Sequence, residues 1–250
     1  MLTYQPYTIE GENRPNETVI ICDHATNIVP DFVNGGELGI SKKDMARHIA
    51  YDVGALGVSK RLAEKMNAPL IYSNFSRLVI DPNRGEDDPT LVMQLYDGTI
   101  IPANRHITEK EINLRKDLCY RPYHAALETL LAQRENPILL SIHTYTKKLN
   151  GYAERPWHVG VLHSEDERLS RPLVPLLQSH SELCVGDNEP YSGHLPGDTM
   201  EYHALIPNRI HALIEIRNDL VKTKVNQREW ADKLAPIFAE AVKITQAQEA

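Results

Sequence analysis

Cysteine is scarce in this chain: Cys22, Cys119 and Cys184 are odd in number and widely dispersed. That excludes a disulfide framework and a thiolate zinc cluster, and leaves three reduced thiols as the simplest reading. Positive charge is also in deficit, with 27 Lys and Arg against 34 Asp and Glu and a formal net charge of -7. No broad basic face is available for a duplex or an anionic membrane surface, so nucleic acid and membrane are excluded as charge-driven partners, and any anionic ligand must be held locally by a few Arg side chains. No apolar run approaches the ~20 residues that span a bilayer. The opening Met1-Leu2-Thr3-Tyr4-Gln5-Pro6 lacks the charged and apolar blocks of a secretory leader, which points to a cytoplasmic protein. No linker, repeat or low-complexity tract divides the 250 residues, so one domain over 1-250 is expected. No feature of the sequence speaks to oligomeric state.

What the chain does have is a set of apolar runs that end on polar groups. Ala212-Leu213-Ile214 runs into Glu215, a carboxylate whose burial is costly unless something positive compensates it. Thr18-Val19-Ile20-Ile21-Cys22 meets Asp23-His24, and Ile138-Leu139-Leu140-Ser141-Ile142 meets His143. These three strands would deliver polar groups to one edge of a sheet, where α/β proteins bind their ligands. Alternation of strand and helix continues through the chain. It predicts a helix from Ser41 to Met66, strands at 69-73, 77-81 and 158-162, and a turn-rich loop at 82-89. It also predicts a helix from Thr108 towards Arg134 kinked at Pro122, a helix opened by Ser164, a short strand near Leu183, a helix near 199-205 and a last helix from about Asn226. The fold class expected is a three-layer α/β sandwich.

Metal-assisted hydrolysis needs about three protein ligands and an open position for water. His24 and His143 are natural ligands. For the third there is no His-Glu-x-x-His, and the position three after His24 is Asn27, not an acid. Asp52 is preferred, with His48 four residues before it on the expected helix as the alternative. Glu215 suits a general base, with a fourth ligand or an ion pair with Arg217 as rival roles. Arg84, with Arg77 or Arg155, is expected to grip substrate carboxylate through a planar fork, and Tyr145, Tyr191 and His124 could donate hydrogen bonds.

At these residues the sequence resembles the N-formylglutamate amidohydrolase family. The likeness lies in Cys22-Asp23-His24-Ala25, in Asp52, in Ser76-Arg77-Leu78-Val79-Ile80-Asp81-Pro82-Asn83-Arg84, in Pro122-Tyr123-His124, in Ser141-Ile142-His143 and in Ile214-Glu215-Ile216-Arg217. The resemblance implies a phosphorylase/hydrolase-like αβα sandwich with a mixed, mainly parallel sheet, of the zinc exopeptidase-like type. It implies zinc (Zn2+) as cofactor, an Asn83-Arg84 grip on a substrate carboxylate, and Glu215 as base. The expected activity is hydrolysis of a small acidic N-acyl amino acid, foremost deformylation of N-formyl-L-glutamate. Another N-acyl amino acid amidase, a carboxypeptidase-like hydrolase and a non-catalytic binding protein are the alternatives.

Overall fold

A computed structural model describes residues 4-249. Seven strands form one sheet: β1 (Tyr7–Glu10), β2 (Thr18–Cys22), β3 (Leu70–Ser73), β6 (Ile138–Tyr145), β7 (Val159–Leu162), β8 (Val185–Asp187) and β9 (His211–Arg217), in the order β1-β3-β2-β6-β9-β7-β8. The central four, β3-β2-β6-β9, are mutually parallel; β1 and β7 run antiparallel to their neighbours β3 and β9, and β8 runs parallel to β7. A two-residue turn at Asp97-Gly98 joins the hairpin β4 (Leu95–Tyr96) and β5 (Thr99–Ile100).

The central strands read as continuous apolar runs because both faces are covered. On one face Ile20, Leu140, Ile142, Ile214 and Ile216 pack with α2 (Ala55–Met66), α5 (Ser170–Gln178) and α6 (Lys224–Glu249). On the other, Val19, Ile21, Leu139 and Leu213 pack with α4 (Arg121–Ala132). The period of two along a strand therefore puts His143 and Glu215 on the α4 face, at the C-terminal ends of β6 and β9. Helix α2 buries Ala55, Val58, Leu62, Ala63 and Met66, the spacing of one helical stripe, and stops at Asn67 in a left-handed conformation.

Several expected elements differ, each for a physical reason. The single helix over 41-66 is two: α1 (Lys42–Met45), capped by Ser41, and α2, with an irregular stretch between. Gly54 opens α2 with φ 88, and a Cβ there would lie 2.3 Å from the Val221 carbonyl oxygen, so only glycine fits the break. Residues 77-81 form a buried turn, not a strand. Their carbonyls are taken by side chains in place of a ladder: Asn104 Nδ2 donates to Leu78 at 2.7 Å and Arg115 Nη1 to Val79 at 2.8 Å. The helix at Thr108 starts with the expected capping box as α3 (Glu109–Arg115). It reaches α4 through a π-helical turn at Lys116–Tyr120, which accommodates the missing N–H of Pro122 without breaking the rod. Ser164 does not open a helix; α5 begins at Ser170.

Candidate metal centre

The turn after β2 presents His24, the stretch before α2 presents Asp52, and β6 itself presents His143. One ligand atom from each lies within 4.8 Å of the others, and all three side chains are buried. Asp52 is not on a helix, as the sequence suggested, but in the loop that the Gly54 break creates. Backbone bonds fix it there: Asp52 N donates to the His24 carbonyl at 2.8 Å, and Thr144 N donates to Asp52 Oδ2 at 3.2 Å. The loop is thereby fastened to the ends of both ligand-bearing strands.

The ring nitrogens sort themselves. Nδ1 of His143 is 2.9 Å and Nδ1 of His24 3.4 Å from Asp52 Oδ2. Each far nitrogen faces another carboxylate: His24 Nε2 is 2.7 Å from Asp81 Oδ1, and His143 Nε2 is 3.3 Å from Asp23 Oδ2. Those carboxylates are anchored in turn, Asp81 by Arg77 Nη2 at 2.7 Å and Asp23 by the Tyr123 hydroxyl at 2.7 Å. A carboxylate behind each imidazole fixes its tautomer and ring orientation, which is how metal-ligating histidines are commonly supported.

Burial alone would raise the Asp52 carboxyl, but His24, His48 and the bond from His143 outweigh it and hold it well below the ordinary range. Asp81 is likewise held down, against burial, by Arg77 and His24. Burial works against a charge on His143, yet its bonds to Asp23 and Asp52 hold its proton well above the ordinary value. His48 is pushed down to about 4 by burial; its Nδ1 stands 3.3 Å from Asp52 Oδ1, beside the triad and outside it. Among the described residues, His24 Nδ1 and Asp52 Oδ1 are buried without a hydrogen-bond partner, and so is His143 Nε2 on the far side of its ring, facing Asp23. Such a concentration of unpartnered buried atoms is expensive unless a cation draws on them. Two imidazoles and one carboxylate suit a zinc ion, and these residues fit it.

Glu215 stands on β9 in register with His143 on β6 and Gly160 on β7. It is buried, its Oε2 has no hydrogen-bond partner among the described residues, and burial pushes its carboxyl up to about 8. The rival ion pair with Arg217 does not form: Arg217 Nε turns to Asp219 Oδ1 at 2.8 Å.

The residues expected at the substrate divide. Arg155 Nη1 donates to the Tyr191 hydroxyl at 2.6 Å, and its guanidinium lies over the Tyr145 and Tyr191 rings at 4.7 and 5.3 Å. Arg77 is buried against Asp81 behind the triad, with the Tyr96 ring 5.4 Å away. Asn83 Oδ1 accepts from Thr199 N at 3.1 Å. Arg84 folds back onto its own turn, donating to the Asn83 carbonyl at 2.7 Å and to Thr90. His124 is engaged with His203 and the Pro82 carbonyl. Sequence reasoning passed over Asp23, Asp81 and Tyr123 as supports; the two acids lie inside the runs that named His24 and Arg84, but only the fold shows which ring each one holds.

A profile of the family described as N-formylglutamate amidohydrolase matches residues 16–222. Among solved structures, gene product Atu2144 from Agrobacterium tumefaciens is similar at 30% identity and a TM-score of 0.92, over 98% of this chain and 97% of that one. An N-formylglutamate amidohydrolase from Ralstonia eutropha JMP134 shares the fold at 19% identity and a TM-score of 0.71, over 97% of each chain. No curated protein matches.

Proposed function

This chain belongs to the N-formylglutamate amidohydrolase family, and from that premise we propose that it is a zinc-dependent hydrolase of linear amides whose foremost substrate is N-formyl-L-glutamate. The observation that carries the reading is the convergence of His24, Asp52 and His143 within 4.8 Å, with Glu215 in register beside His143. His24 and His143 would hold the ion through Nδ1 and Asp52 through its carboxylate, while Asp81 and Asp23 keep the two rings oriented from behind. When bound, zinc supplies a Lewis acid for the acyl oxygen and an acidified water.

Glu215 takes a proton from the attacking water as its oxygen adds to the acyl carbon, and returns the proton to the nitrogen as the C–N bond breaks. The products are formate and the free amino acid. Burial raises the proton affinity of this carboxyl, which suits it to accept the water proton and carry it to the nitrogen. Arg155, steadied by Tyr191 and Tyr145, and Arg84 with Asn83 hold the substrate carboxylates, and Arg77 adds positive charge from behind Asp81. Because binding that is equal in ground and transition states does not raise the chemical rate, these cations govern selectivity and alignment.

The test is metal content of the purified protein together with amine release from N-formyl, N-acetyl and longer N-acyl amino acids. One zinc per chain and preference for N-formyl-L-glutamate are expected. Turnover with a different acyl group would reassign the substrate, and anion binding without metal or turnover would replace the enzyme by a binding protein.

A further inference from the structure

Behind the Asp81-Arg84 turn, two imidazoles outside the metal centre lie edge to edge. The His124 and His203 rings are 10° from parallel with centroids 5.1 Å apart, and His124 Nδ1 is 2.9 Å from His203 Nε2. The outer nitrogens are also engaged: His124 Nε2 is 3.0 Å from the Pro82 carbonyl oxygen, and His203 Nδ1 is 3.1 Å from Glu128 Oε2. Glu128 is bonded at both oxygens by Arg209. A line thus runs from the partly exposed Arg209-Glu128 pair through the buried His203 and His124 to Pro82.

That carbonyl belongs to a turn with direct bearing on the site. Asn83 N donates at 2.9 Å to the same Asp81 oxygen that faces His24. Thr199 binds both the Pro82 carbonyl and the Asn83 side chain, and the Tyr120 hydroxyl holds the Arg84 carbonyl. Counting protons along the line is informative. A carbonyl and a carboxylate only accept, so both outer nitrogens must carry hydrogen, and the inner N···N contact needs one more. Three protons on two rings make the pair a monocation. With two protons, one of the three contacts sets lone pair against lone pair.

We propose that the paired His124 and His203 are positioning residues for the Pro82-Arg84 turn, their line closing when the two rings share three protons, a state that Glu128 favours and Arg209 opposes. The proposal rests on the hydrolase reading above for its catalytic meaning. Burial works against the third proton, pushing His124 down to about 4 and His203 below its ordinary value. Negative charge on Glu128, Asp23 and Glu86 works for it; Arg209 works against it, and the other facing groups are the neutral rings of Tyr120, Tyr123 and Tyr202. Closing the line presents Asn83 and Arg84 to the substrate in one orientation, so its effect falls mainly on KM.

The experiment compares Glu128→Gln with Arg209→Gln in the zinc-loaded protein, over the acid range in which the wild-type pair takes up its third proton. Both remove the same ion pair, so a purely structural role raises KM for N-formyl-L-glutamate in both. The proton-sharing role gives opposite signs: KM rises about fivefold in Glu128→Gln with kcat within about twofold, and stays at or below wild type in Arg209→Gln. His203→Ala should match Glu128→Gln; should it not fold, the first pair still decides. Like-signed shifts, or none, overturn the proposal. Ring 15N chemical shifts read the proton count without catalysis, with titration of the pair moving to lower pH in Glu128→Gln and higher in Arg209→Gln, and the Asn83 amide signal following. Equal midpoints, or an Asn83 signal that does not follow, overturn it even if the wild-type protein cleaves no amide, an outcome that by itself rejects only the hydrolase reading.

Discussion

Replacing Glu215 with glutamine separates the chemical role of this side chain from its structural one. The two side chains are near-isosteric, and Glu215 Oε2 has no hydrogen-bond partner to lose. The fold and the ligand triad should therefore survive, with zinc retained at wild-type content. Positioned general acid–base catalysis contributes roughly 10²–10⁴ in rate, so kcat should fall by that factor, about 2.7 to 5.4 kcal/mol of lost transition-state stabilisation at ~1.36 kcal/mol per tenfold. Amine release from N-formyl-L-glutamate, read beside metal content, is the assay. Turnover within about tenfold of wild type, at full metal content, would refute the role given to Glu215. Stability supplies an independent check in metal-free protein. The folded carboxyl is raised from 4.5 to about 8, so the folded state holds this proton more tightly than the unfolded chain does. The stability this confers is complete below about 4.5 and is lost as pH rises through 8. Glutamine does not titrate, so the wild type should lose stability relative to Glu215→Gln across that window in denaturant unfolding. A difference that grows towards acid pH instead would show that burial does not set this carboxyl.

Four further outcomes are expected. Asp81→Asn keeps the side-chain shape but removes the carboxylate behind His24, and zinc affinity measured by competition with a chromogenic chelator should weaken about 10- to 100-fold; an unchanged affinity would sever Asp81 from the centre. Arg155→Ala should raise KM for acidic substrates more than it lowers kcat, and Arg84→Ala should do the same; an unaltered substrate profile in either variant removes that arginine from recognition. Zinc binding must displace the proton that Asp23 and Asp52 hold on His143, so titration calorimetry in buffers of different ionisation enthalpy should register proton release, and affinity should fall as pH is lowered. Chelation should abolish turnover reversibly, zinc restoring it.

Much of the centre was legible because its residues interrupt apolar runs. A buried strand that ends in His24, His143 or Glu215 carries a group too costly to bury without purpose, and each does lie at the C-terminal edge of the parallel strands. Asp52 does meet the two histidines, but from a loop and not from the expected helix: the apolar pattern of 41-66 outweighs Gly54, whose left-handed conformation becomes obligatory only against the Val221 carbonyl. The run Arg77-Leu78-Val79-Ile80 reads as a strand for a related reason: burial is complete, but its carbonyls are satisfied by Asn104 and Arg115 from far along the chain, and no local pattern encodes that. Asp23 and Asp81 were hidden by the same remoteness. Each gains its meaning from a ring or a guanidinium it meets only in three dimensions. The arginines show the converse, since the sequence favoured Arg84 through its neighbours, whereas Arg155, in a polar loop, is the one stacked between two tyrosines.

His143 and Glu215 share one rung of a parallel ladder. Adjacent strands in a sheet lie about 4.8 Å apart wherever they pair, so the offset between the proposed ligand and the proposed base is dictated by amide geometry common to all sheets. The loops that carry Arg84, Arg155 and Tyr191 can change length or composition without disturbing that offset. A designer seeking a different acyl amino acid as substrate should therefore rewrite the mouth of the site while leaving the rungs, the Asp52 loop and Asp81 alone.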